Sequence, residues 1–229
     1  MTEAEWLACT SVEDLLHFAN YGEGVPSARS QFLLDYPGSP FGPDRPSPRQ
    51  LALAVVGWAD QVGKIIYDEA TIAAVRLLLL GADGAVGPHA VAEFRGRYVT
   101  PARPFRDGVA DWAHFILWSN EEGPLPVEAA GAIADALSRL LPQSDQCHIL
   151  RDILGNPSRP VSFSSSWGTD TVLALARGMY ESRDFGAMPI LADALMDAGC
   201  ENADVLNHCR GGGVHVRGCW VIDLLLGKG

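Results

Sequence analysis

No stretch of this 229-residue sequence alternates apolar and polar residues over strand length, so the signature of a half-buried β-strand is missing. Nor does any apolar run approach the roughly 20 residues that a membrane-spanning helix needs. The best candidates, Leu51 to Val56 and Val75 to Leu80, are soon interrupted by Asp60 and Asp83. The opening Met1-Thr-Glu-Ala-Glu-Trp6 holds two acids and no basic segment, unlike a secretory signal. Cysteine is sparse and odd in number: Cys9, Cys147, Cys200, Cys209 and Cys219, which argues against a disulfide scaffold in a chain of this length. The expectation is a cytoplasmic, reduced protein without a membrane partner. Basic side chains are also few, 17 Lys and Arg against 28 Asp and Glu, for a net charge of −11. A field of that sign repels phosphate, so nucleic acid is not an expected partner either.

What is present is helical. Apolar residues make up 48% and charged ones 20%, which are globular values. Thr2-x-x-Glu5 has the spacing of a capping box, in which hydroxyl and carboxylate satisfy each other's backbone N–H. Ser11-x-x-Asp14 is a second start, so residues 3–20 read as two helical pieces. Five prolines, Pro37, Pro40, Pro43, Pro46 and Pro48, then fall close together. Each removes a donor and disfavours helix before it, which makes 37–48 an extended linker after an N-terminal arm, 1–36. Ser47-Pro48-Arg49-Gln50 restarts the helix, and Leu51, Val55, Trp58 and Val62 share one face up to a stop at Gly63. Further helices are expected at about 68–80, 88–96, 107–119, 125–141, 144–154, 169–182, 187–198, 202–209 and 215–226. The fold class is therefore all-α: an irregular multi-helix bundle of about ten short helices. The main body spans 49–229, with a possible subdivision near 157–166.

Candidate chemistry concentrates near the C-terminus. Cys200, His208, Cys209, His215 and Cys219 fall within twenty residues, and thiolate and imidazole are the donors zinc prefers. The spacing matches neither C-x-x-C nor H-x3-5-H, and adjacent His208 and Cys209 on a helix point about 100° apart. The sequence leaves open whether the five converge. The alternative has the cysteines as small buried apolar residues and His208 as a cation favoured at a helix C-terminus. On that alternative no metal ligand and no cofactor are assigned. Cys147-His148 and His208-Cys209 are neighbours in sequence, but catalytic Cys–His pairs meet through the fold, so no nucleophile is assigned.

Two positive islands stand out against the acidic background. Arg210-Gly-Gly-Gly-Val-His215-Val-Arg217 is a glycine-rich turn without an acid, a pattern able to cradle an anion before a helix. Arg95, Arg97, Arg103 and Arg106 form a second island, with Tyr98 and Phe105 interleaved. Residues 1–46 carry seven acids and two arginines, so another copy's N-terminal portion, an acidic partner or a phosphate would suit that loop. Asp111 and His114 are three apart on one expected helix, half of an acid/base site without its other members. Of the six tryptophans, most are expected to anchor the core.

Two stretches resemble an uncharacterised paralogous group of planctomycete bacterial proteins. The opening Met1-Thr-Glu-Ala-Glu-Trp-Leu-Ala-Cys9-Thr is similar to that group's start. The tail motifs are Cys147-His-Ile-Leu-Arg-Asp-Ile-Leu-Gly-Asn-Pro157-Ser-Arg-Pro160, Pro189-Ile-Leu-Ala-Asp-Ala-Leu195, Ala198-Gly-Cys-Glu-Asn-Ala-Asp204 and His215-Val-Arg-Gly-Cys-Trp-Val-Ile-Asp-Leu-Leu-Leu-Gly-Lys228. Some members carry a label for the SMI1/KNR4 (cell-wall assembly/immunity) superfamily of mixed α/β binding proteins, a sheet-containing fold that the helical pattern here does not carry over. The resemblance transfers no catalytic residue.

These readings together point to a non-catalytic interaction or regulatory module, recognising a protein partner or another copy of itself. Its contacts are expected at Arg95, Arg97, Arg103 and Arg106 first, and at Arg210, His215 and Arg217 second. The rival is a metal-binding domain or metal-dependent enzyme using the C-terminal Cys/His cluster, which predicts loss of metal on Cys209→Ser.

Overall fold

The computed structural model describes residues 1–21, 46–63 and 141–228, with single residues 77, 89, 90, 93, 134 and 138 between them. Eight α-helices have their bounds within these residues, and no strand occurs among them. The all-α reading holds. Apart from those single residues and Leu141, the expected helices at 68–80, 88–96, 107–119 and 125–141 lie outside the described residues, as do most of the proline linker, Asp111 and His114. The chain divides into two compact units, Met1–Cys147 and His148–Gly229, and the stretch 157–166 lies inside the second.

In the first unit, helix starts follow the sequence closely. Thr2 and Glu5 close a reciprocal capping box at the head of α1 (Glu3–Ala8). Ser11 Oγ accepts the Asp14 N–H at 3.2 Å at the head of α2 (Val12–Tyr21). Trp6 is fully buried, with its ring 5.7 Å from that of Phe18, which ties α1 to α2. Before α3 (Pro48–Gly63), the Ser47 N–H donates to Gln50 Oε1 at 2.8 Å and the Gln50 N–H returns a bond to Ser47 Oγ at 3.2 Å. The single apolar face expected on α3 is broader in the structure. Leu51 through Trp58 are all buried, because Ala52, Leu53, Ala54 and Val56 fill the sides between the periodic positions. A helix apolar on every side is a core helix.

The boundary between the units falls within α4 (Gln143–Leu154), which carries residues of both. In the second unit, the short 3-10 turn Ser165–Trp167 precedes α5 (Asp170–Ser182), α6 (Met188–Asp197), α7 (Ala203–Arg210) and α8 (Trp220–Leu226). Thr169 caps α5 and Asn202 caps α7, each side-chain oxygen accepting from the first turn. The packed pairs are α6 with α7, α5 with α8, α5 with α6, and α7 with α8. Leu191, Leu195, Val221 and Ile222 are completely removed from water in one cluster, each contributing about 1.5–3 kcal/mol relative to exposure. Cys200, Cys209 and Cys219 belong to the same cluster.

The last expected helix, 215–226, is corrected. Residues 215–219 form a turn closed by the Cys219 N–H on the Val216 carbonyl at 3.0 Å, and the helix begins only at Trp220. Gly218 at φ 101° takes a conformation that a helix excludes and glycine alone adopts readily.

Candidate metal centre

Four side chains from three segments of the second unit converge on one point. Asp152 sits in the last turn of α4, His208 in the last turn of α7, His215 in the connection that follows, and Cys219 immediately before α8. Asp152, His208, His215 and Cys219 each offer one ligand atom, and these four atoms lie within 4.8 Å of one another. His208 Nε2 is 3.1 Å from Asp152 Oδ1 and 3.1 Å from Cys219 Sγ. His215 Nδ1 is 2.7 Å from Asp152 Oδ1 and 4.0 Å from Cys219 Sγ. Bonds of 2.0–2.3 Å to zinc imply tetrahedral edges of about 3.3–3.8 Å. The separations found, 2.7–4.0 Å, bracket those edges.

The backbone aims the carboxylate. Asp152 Oδ2 accepts the Val216 N–H at 2.8 Å, which directs Oδ1 toward the imidazoles. The same bond anchors the 215–219 turn to the end of α4. The site is largely dry: the side chains of His208, His215 and Asp152 are 19%, 8% and 4% exposed, and Cys219 is fully buried.

Surroundings shift the carboxyl and the thiol of this cluster in opposite directions. Burial pushes the Asp152 carboxyl up, but hydrogen bonds and positive charge from His208 and His215 outweigh it and hold the group below its ordinary value. Burial, with the Asp152 charge adding to it, pushes the Cys219 thiol well above its ordinary range. Burial also lifts Cys209 to about 12, with Cys200 and Asp152 contributing. Without a cation these thiols stay protonated at neutral pH, and Cys219 becomes a thiolate only against a positive charge.

The arrangement does not suit a cysteine nucleophile. A Cys–His–Asp relay places the thiol on one imidazole nitrogen and the carboxylate on the other. Here both approach His208 Nε2, and a fully buried, proton-retaining thiol is poorly placed to attack.

Of the sequence cluster, the structure brings together His208, His215 and Cys219 and leaves Cys200 and Cys209 out of the four. Asp152 is the member that spacing missed, because it stands 63 residues before His215. Its signal was local: an acid beside Ile149 and Ile153, both buried positions of α4. The anion-cradle residues have separate engagements. Arg210 donates to Asp193 Oδ1 at 3.0 Å and contacts Met196 Sδ, His215 joins the convergent four, and the Arg217 guanidinium lies 4.3 Å from the Tyr180 ring centre. Arg95, Arg97, Arg103 and Arg106 lie outside the described residues. No protein-family model, no curated protein and no solved structure matches this chain.

Proposed function

We propose that the C-terminal unit binds one divalent transition-metal ion, zinc foremost, at Asp152, His208, His215 and Cys219, and that the ion is structural. The convergence of four donor atoms of three kinds within 4.8 Å carries the reading. One sulfur, two imidazole nitrogens and one carboxylate oxygen form a borderline-soft set suited to zinc and not to calcium or magnesium, which take oxygen donors. Four protein donors fill a tetrahedron and leave no position for substrate, as in structural rather than catalytic zinc sites. The ion would staple the end of α4 to the α7–α8 connection, so that its binding free energy becomes folding free energy. With the metal serving the fold, recognition falls to the protein's surface, in keeping with a non-catalytic interaction or regulatory module.

Cobalt(II) titration tests this. Wild type should develop the absorption of tetrahedral cobalt with a sulfur charge-transfer band, which zinc then displaces. Cys219→Ser should lose the sulfur band, while Cys209→Ser should keep it. A spectrum that stays that of aqueous cobalt throughout rejects the site.

A further inference from the structure

We propose that Trp220 is a positioning residue that holds His208 on the ion and thereby sets how long the ion stays bound. The inference rests on metal binding at the four residues above. Among those four, His208 is the ligand that water reaches most, at 19% side-chain exposure against 8% for His215 and 4% for Asp152. A buried ion leaves by releasing its ligands one at a time, and the most exposed one is the natural first to exchange. For His208 to detach, its ring must swing away from the centre.

Trp220 packs against that ring. Its ring centroid lies 5.1 Å from that of His208 at an interplanar angle of 55°, and the His215 ring packs 4.9 Å away at 72°. The indole is itself held by the end of α4. A Cβ placed on Gly155 would lie 3.2 Å from Trp220 Cγ, 3.4 Å from Cδ2 and 3.6 Å from Cδ1, so the five-membered ring rests directly against that backbone. Gly155 follows the turn that carries Asp152, and its φ of 69° suits glycine. Trp220 also directly follows Cys219. One indole therefore touches the His208 ring, braces the segment that supplies Asp152, and is joined by a peptide bond to the residue that supplies the thiol. Outer partners that fix a ligand's orientation by hydrogen bonding commonly change metal affinity by about 10–100-fold when replaced, and a ring packed on His208 acts on the same orientation.

The test is the rate of zinc loss from the full-length, zinc-loaded protein into excess chromophoric pyridylazo chelator, read beside the cobalt spectrum. Trp220→Leu keeps an apolar side chain but removes the flat face, and zinc loss should accelerate about tenfold or more, with a shifted cobalt ligand-field envelope. Trp220→Phe restores a ring and should recover most of the wild-type rate. A role confined to packing would lower the melting temperature but leave both the release rate and the envelope unchanged, and that result overturns the proposal. If Trp220→Leu does not fold, Trp220→Met decides, because it keeps a large apolar side chain without the flat face and changes neither a ligand nor the backbone conformation. Faster zinc loss supports the proposal and an unchanged rate overturns it. A wild-type protein that takes up neither zinc nor cobalt is a different failure, since it removes the metal site itself.

Discussion

Six residues apart on α4, Gln146 and Asp152 are both removed from water, yet they are buried for different reasons. Gln146, in the first unit, spends its amide nitrogen on backbone, while its Oε1 is buried with no hydrogen-bond partner among the described residues. Nε2 donates to the carbonyls of Ala134 at 3.0 Å and Leu141 at 2.8 Å, and the Gln146 carbonyl accepts from Trp58 Nε1 at 3.0 Å. Each of these is a neutral donor meeting a neutral acceptor, the ordinary way a core tolerates a polar group. Asp152, in the second unit, meets two imidazoles and lies among atoms that converge with a thiol on one centre. Lone pairs aimed at a common point are held by protons or by a metal ion. The buried amide closes structure, whereas the buried mixed set of N, O and S donors is where the proposed ion would sit.

The largest expected effect comes from removing the charged member. Asp152→Ala should abolish metal binding and cost roughly 3–5 kcal/mol in urea unfolding, as breaking a buried ion pair does. It should also change the acid limb of stability. The folded carboxyl sits below its ordinary value of 3.8, so its stabilisation is complete above that value and fades as pH falls through the lowered one. The variant lacks that fading.

Stripping the ion from wild type comes next. At a free metal concentration a thousandfold above Kd the ion contributes about 4 kcal/mol, so a strong chelator should lower the melting temperature and added zinc should restore it. Because burial keeps the Cys219 thiol protonated, each ion bound should release a proton. Calorimetry in buffers of differing ionisation enthalpy reads that proton, and occupancy should drop as pH is lowered.

Gln146→Leu probes the other side of the comparison. It strands the Ala134 and Leu141 carbonyls and should cost about 1–3 kcal/mol, with metal content unchanged. If it lost metal, the separation between the two buried groups would collapse. The smallest effect is expected of Arg210→Ala, which breaks the exposed pair with Asp193 and should move stability by less than about 1 kcal/mol.

How legible this was in the sequence depended on distance along the chain. The starts at Thr2, Ser11 and Ser47 could be read because a cap and its partner lie three residues apart. His208, His215 and Cys219 were visible as a cluster because the fold keeps them within one connection. Asp152 was not, since only tertiary packing brings α4 to that connection. Reading 215–226 as one helix put His215 and Cys219 one turn apart on one face but gave no sign of what faces them. The Gly218 turn instead lets the Val216 N–H reach Asp152 and carries both side chains to the carboxylate.

The most direct measurement is the metal-to-protein ratio by elemental analysis, on full-length protein purified under reducing conditions without chelator or affinity metal. Close to one zinc, or another divalent transition metal, is expected per chain, lost in Asp152→Ala and Cys219→Ser and kept in Gln146→Leu. Protein that carries no such metal and takes up none from added zinc would contradict the proposed site.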